Sequence, residues 1–175
     1  MTTHIPVIPF ATIDVKLTRW MARHAVALLR LSLGVVFLWF GGLKFFPGLS
    51  PAEDLAGRTI TMMTFGTIPA SASLPLLALW EVLIGLGFLT GRCMRATILL
   101  LAGQMLGTVT PLLFFPHETF TAYPIAPTLE GQYIIKNIVL LSAGLVLGAV
   151  VRGGQMIADP KFAGEARAKE DRSPA

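Results

Sequence analysis

The sequence predicts an all-α integral membrane protein: an antiparallel four-helix bundle with a short extra helix in the first outer loop. Three observations carry that prediction. Charged residues make up only 14% of the 175, and 54% are hydrophobic, where a soluble domain carries about 25% charged residues. Four apolar runs are each long enough to cross a hydrocarbon core of ~30 Å at ~1.5 Å per residue. The links between the runs are short, which favours antiparallel neighbours. The length fits one domain. It divides into an N-terminal segment at 1–24, a transmembrane bundle at 25–151 and a cytoplasmic polar tail at 152–175.

Residues 1–11 hold Pro6 and Pro9 and are expected to be loose. From Thr12 an amphipathic helix fits, with Thr12 as N-cap and Asp14 in the first turn. Ile13, Leu17, Trp20 and Met21 share one face, and Lys16, Arg19 and Arg23 another. That is an interfacial helix on an anionic leaflet, or a simple basic flank to the span that follows. The first span, 25–47, is too long for a signal-peptide core and reads as a retained helix. Arg30, Gly34, Phe37, Gly41 and Lys44 recur at helical spacing and form one stripe. Leu29, Leu33, Val36 and Phe40 are expected to face lipid. The polar stripe must face something else.

Pro47-Gly48 ends this span. Ser50-Pro51-Ala52-Glu53 reads as a capping box with proline at the first helical position. The helix it predicts, 51–64, holds Glu53, Asp54 and Arg58 and is too polar to cross. The second span, 74–91, carries Ala78, Glu81, Gly85 and Phe88 on one stripe. A basic turn leads to the third span, 96–115. There Gly103 and Gly107 form a small-xxx-small contact surface, and Pro111 frees the Gly107 carbonyl and bends the outer end. The loop 116–131 is rich in proline and aromatic residues. The fourth span, 132–151, places Asn137, Leu141, Gly144 and Gly148 on one face. Beyond about residue 162 the tail is expected to be disordered.

Lys16, Arg19, Arg23, Arg92, Arg95, Arg152 and the tail cations fall on one side of the bundle. Arg58 is the one cation in the loops of the other side, beside Glu53, Asp54, Glu118 and Glu130. The bias places both termini of a multi-pass membrane protein in the cytoplasm. It also explains the net charge of +4 and the pI of 9.6. The expected partner is therefore the lipid bilayer and not nucleic acid. His4, His24 and His117 lie outside the deep parts of the spans, and no Cys/His cluster has metal spacing, so no metal is expected. Cys93 stands alone, which excludes an internal disulfide. No glycine-rich phosphate loop is present.

Counted from the outer end at ~1.5 Å per residue, Lys44 is ~3 Å deep, Lys136 ~6 Å and Glu81 ~10 Å. The three are expected to meet, with Asn137 beside them. An unpaired carboxylate in hydrocarbon costs ~3 kcal/mol or more. Glu81 should therefore pair with Lys44, Lys136 or both, or be protonated. Two lysines around one carboxylate leave a net positive site, suited to an anion or to the carbonyl oxygen of a quinone. The same residues also read as an ion pair that fixes helix register, or as a contact with a partner subunit. Arg30, ~8 Å from the inner end, either snorkels to headgroups or faces the bundle beside Gln104 as an inner-half polar site. Gly34, Gly41, Gly85, Gly103, Gly107, Gly144 and Gly148 are the expected helix-packing positions.

Three stretches carry a family resemblance: LRLSLGVVFLWFGGLKF at 29–45, LALWEVLIGLGFLTGR at 77–92 and PTLEGQYIIKNIVLLSAGLVLGA at 127–149. With them the chain resembles the DoxX-like family of small four-span bacterial membrane proteins over about 28–151. Arg30, Gly41, Lys44, Glu81, Gly85, Gly91, Lys136 and Asn137 match the family's pattern. Some relatives are named for thiosulfate:quinone oxidoreductase subunits, and others are associated with oxidative or reactive-chlorine defence. The resemblance implies an accessory or quinone-binding subunit linked to redox or stress homeostasis. No cofactor is evident in the sequence itself. Without a cysteine pair, redox chemistry would need a bound quinone or an external partner, either a redox enzyme subunit or a second copy. One alternative is a quinone-reducing oxidoreductase subunit, with Glu81 relaying a proton and Lys44 or Lys136 polarising a carbonyl. Another is a small-solute transporter, which needs a polar path from the outer cluster through Gln104 and Thr108 to Arg30.

Overall fold

The computed structural model describes residues 9–151 together with 153 and 154. The expectations for 1–8 and for most of the tail lie outside the described residues. The elements in order are α1 (Pro9–Leu43), α2 (Glu53–Met63), α3 (Ala70–Thr90), α4 (Met94–Val109), α5 (Pro111–Phe114), α6 (Pro116–Thr119), β1 (Phe120–Ala122), β2 (Ala126–Pro127) and α7 (Leu129–Val150). Among the described residues, four stretches are long and apolar enough to cross a membrane: Lys16–Leu43, Ser71–Thr90, Met94–Phe114 and Leu129–Val150. The protein is an all-α, multi-pass membrane bundle.

Glycine sets the closest approach. A Cβ on Gly34 would lie 2.7 Å from Leu89 Cγ, one on Gly85 2.6 Å from the Leu38 backbone nitrogen, and one on Gly41 2.7 Å from Glu81 Cβ. As one partner's number rises the other's falls, so α1 and α3 run antiparallel with their backbones nearly touching. A Cβ on Gly144 would lie 2.5 Å from Leu101 Cδ2 and one on Gly148 3.6 Å from Ile98 Cδ1, which sets α4 antiparallel to α7. Between α3 and α4, Trp80 Nε1 donates to the Leu100 carbonyl at 3.1 Å. Gly87, unforeseen as a packing position, leaves room for the Thr97 hydroxyl on the same seam. Leu33, Phe37, Ile84, Phe88, Leu101, Met105, Ala143 and Leu147 form the core.

Several expectations are corrected. The amphipathic segment and the first span are one helix, because no glycine or proline stands between Pro9 and Gly34. Thr12 is thus inside α1 and not its N-cap. Leu33 is 3% exposed and belongs to the core, not to the lipid side; it lies four residues before Phe37 and shares its face. Val36 and Phe40 stay exposed. The capping box does not form. Ala52 takes the N-cap position of α2 in the left-handed region, at φ 55. Ser50 Oγ donates instead to the Pro51 carbonyl at 3.3 Å, and Glu53 Oε2 accepts from the Gly48 N–H at 2.8 Å. The third span is interrupted after Val109, just before Pro111, and the helix resumes as α5. Thr110 takes over the freed Gly107 carbonyl through both its N–H, at 3.3 Å, and its hydroxyl, at 2.7 Å. The following loop folds into α6 and a small antiparallel hairpin, with Phe120 opposite Pro127. The fourth span starts earlier than expected, at Leu129, with Thr128 Oγ1 accepting from the Gly131 N–H at 3.2 Å.

Candidate functional site

Glu81 sits on the inward face of α3, where Gly41 lets α1 close over it. Its side chain is 9% exposed, and Lys44's is 15% exposed. Lys44 follows the end of α1, held there by its N–H donating to the Gly41 carbonyl at 3.2 Å. From that turn its ammonium reaches back into the bundle. Lys44 Nζ donates to Glu81 Oε2 at 2.7 Å and to the Phe40 carbonyl at 3.4 Å. Gln104 Nε2, on α4, donates to Glu81 Oε1 at 2.9 Å. Each carboxylate oxygen thus has a donor from a different helix, which satisfies a buried charge.

Two of the predicted partners are elsewhere. Lys136 is exposed, its Nζ 5.8 Å from the centre of the Tyr133 ring. The inward face of α7 runs through Ile134, and a residue two positions on points roughly to the opposite side. The predicted net positive site is therefore a neutral Lys44–Glu81 pair. Arg30 is not beside Gln104. Its Nη1 donates to the carbonyls of Phe88 at 2.6 Å and Leu89 at 3.1 Å, and the guanidinium packs over Gly91. Those carbonyls are left unpaired by the end of α3, where a cation is favoured. The predicted pair of Arg30 and Gln104 thus splits between the two ends of the bundle.

Around the Lys44–Glu81–Gln104 cluster lies a cavity of about 690 Å³. The α2-proximal halves of α1, α3, α4 and α7 form its walls, and Leu55, Thr59 and Met63 of α2 contribute to its roof. Asn137 is on the wall, and Glu130 is at the start of α7. The predicted Gly103–Gly107 contact surface is part of this wall. A Cβ on Gly103 would meet Trp80 at 3.4 Å, and one on Gly107 would meet nothing within 4 Å. Some hydrogen-bonding capacity remains unused. The Lys44 ammonium has three N–H groups and two partners. Among the described residues, the Asn137 carboxamide and the Gln104 carbonyl oxygen have no partner.

A second charged group lies above the cavity. Arg58 donates from Nε to Asp54 Oδ2 at 2.9 Å. It also donates from Nη1 to Glu118 Oε1 at 2.8 Å and from Nη2 to Glu118 Oε2 at 2.5 Å, a fork-to-fork pair. Its guanidinium carbon lies 4.9 Å from the centre of the Phe115 ring. The bonds from Arg58 hold the Glu118 carboxyl below the usual carboxylate range, and the same bonds push the guanidinium further up. The Asp54–Arg58 spacing signals its half of this group in the sequence. Nothing in the sequence signals Glu118. Among the described residues no group of His, Cys, Asp and Glu is arranged to hold a metal ion.

No curated protein matches the chain, and no solved structure does. The DoxX family model matches residues 25–118, an interval that holds Arg30, Lys44, Glu81 and Gln104 together with all of α2. Since that match spans more than half of its length, the chain belongs to the DoxX family.

Proposed function

We propose that this DoxX-family protein is an accessory membrane subunit that binds a quinone-like molecule in the cavity beneath α2 and thereby serves redox or stress homeostasis. The observation that carries this reading is the cavity itself. At about 690 Å³ it falls within the usual range of ligand sites, about 300–1,000 Å³. It is largely apolar, and its few polar groups converge from four helices. A carbonyl oxygen could take the remaining Lys44 N–H and the Asn137 amide. Because Glu81 already neutralises Lys44, a neutral carbonyl suits the site better than an anion. The lysine and arginine bias favours both termini in the cytoplasm, and the resemblance to small bacterial membrane proteins favours an inner membrane. Electrons would come from a partner, a redox enzyme subunit or a second copy, since Cys93 has no second cysteine to exchange with.

One observation favours a quinone-reducing subunit as the second reading. Glu81 lies at the cavity wall between a lysine and an amide, a suitable place for a proton relay. Transport has less support. Phe37, Ile84 and Phe88 close the core beyond the cluster, and Arg30 is engaged with backbone carbonyls.

Native mass spectrometry of the protein gently extracted from its own membrane tests the main reading. A stoichiometric quinone-sized adduct is expected in the wild type. It should be lost in Gly107→Phe, which fills open space, and reduced in Glu81→Gln. A bare wild-type protein would overturn the reading. A folded Glu81→Gln variant that loses quinone turnover would favour the oxidoreductase, and undiminished turnover would reject the relay.

A further inference from the structure

The roof and the walls of the cavity face different surroundings. Leu55 and Thr59 of α2 are buried at 6% and 4% exposed, and both face the cavity. Asp54 and Arg58, on the other face, are exposed. The roof is fastened at two points. Arg58 joins α2 to α6 through Glu118, and Met63 Sδ rests 3.4 Å from Thr110 Oγ1, bringing α2 against the break between α4 and α5. The walls are not closed in this way. Phe40, Leu76, Trp80 and Tyr133 all line the cavity and are 51, 50, 42 and 54% exposed. All four belong to stretches long and apolar enough to cross a membrane, which sets their free surface toward the bilayer. At Gly107 the wall has open space in front of it.

We propose that the cavity is loaded sideways from the bilayer beneath α2, a lid clasped by Arg58, and that its ligand is a lipid-soluble molecule with a neutral head and a hydrocarbon chain. The inference rests on the reading of the cavity as a ligand site. Charge supports the class. Glu53, Asp54, Glu118 and Glu130 outnumber Arg58 at the α2 end, and Lys44 is already paired with Glu81, which disfavours an anion arriving from water. A cation would find both oxygens of Glu81 already bonded. A neutral head meets neither obstacle, and its chain lies along apolar walls.

Thiol labelling separates the two routes. In a Cys93→Ser background, Gly107→Cys places a thiol in the open wall, and Thr67→Cys gives an exposed reference. Membrane fragments open on both sides are treated with a neutral pyrenyl maleimide or a sulfonated one. The neutral reagent should label both positions at similar rates. The sulfonated reagent should label Gly107→Cys about 100-fold more slowly than Thr67→Cys, because a fixed charge enters hydrocarbon poorly. Adding Arg58→Gln should raise that slow rate about fivefold by loosening the lid. A quinone with a long isoprenoid chain should protect Gly107→Cys, and a chainless quinone should not. Equal labelling by the sulfonated reagent at both positions would overturn the sideways route. Slow sulfonate labelling without protection by either quinone would overturn the ligand, and the quinone reading with it, while the route stands.

Discussion

Arg30 stands on α1 and Lys44 just past its end, about four helical turns further along the chain, and both reach across to α3. At the Arg30 end the cation bonds to two carbonyls that the end of α3 leaves open, and its guanidinium packs over Gly91. At the Lys44 end the cation meets a carboxylate, and the space beyond the pair is empty. The glycines divide by helix. Gly34, Gly41 and Gly85 hold α1 and α3 together along their seam, whereas Gly107 on α4 faces nothing. A small residue at helical spacing therefore closes a seam only where another helix comes to meet it. Where none does, it makes room. One end of this bundle is built for register and the other for occupancy.

The sharpest way to break this comparison is to remove the Lys44 ammonium. Lys44→Met should lower stability by about 3–5 kcal/mol, the cost of leaving a buried carboxylate unpaired, read as unfolding in detergent. Adding Glu81→Leu should recover most of that loss. A single-variant loss no larger than that of Arg30→Met would erase the distinction between the ends. Arg30→Met itself should cost about 1.5–3 kcal/mol for its charge-assisted bonds and leave ligand binding at the other end unchanged. The glycines sharpen the contrast through sign. Gly85→Ala should destabilise by about 1–3 kcal/mol, because its Cβ meets the α1 backbone and overpacks the seam. Gly107→Ala should stabilise by up to about 1 kcal/mol through helix propensity alone. Matching signs in a paired melting experiment would show that the two positions do not differ as described.

The four spans were legible because hydrophobic runs of bilayer length leave little other choice, and the Lys44–Glu81 pair followed because a carboxylate at that depth must find a cation. Azimuth was harder to read. Lys136 has a suitable depth and the wrong face, and only the position of Ile134 against the other helices decides that. Gln104 was placed by depth beside Arg30, but α3 and α4 run antiparallel in a register anchored by Trp80 on Leu100, which brings it to Glu81. The clasp on Glu118 joins residues 60 positions apart, which local pattern does not encode, and the strands of the hairpin, three and two residues long, are too short to leave an alternating pattern. The N-terminal part of α1 misleads for the opposite reason. Its amphipathic pattern suggests a separate element where no residue breaks the helix.

The smallest expected effect concerns the lid, the part of the occupied end that touches water. Arg58 holds the Glu118 carboxyl below its usual range. A carboxylate with a depressed folded-state pKa contributes stability that is present above its unfolded value and lost as pH falls through its folded one. The Arg58–Glu118 clasp should thus persist at pH values where free carboxylates already protonate, and open only in stronger acid. Melting the wild type beside Glu118→Gln across acidic pH tests this. The wild type should hold a small advantage at neutral pH, begin to lose it as pH falls into the ordinary carboxylate range, and lose the last of it only below that range. Because both partners are solvent-exposed, salt should shrink that advantage. It should leave the Lys44–Glu81 pair, enclosed among four helices, nearly untouched. An advantage that vanished already in the ordinary range would mean that the clasp does not form in solution, and the roof would then be held by the packing of Leu55 and Thr59 alone.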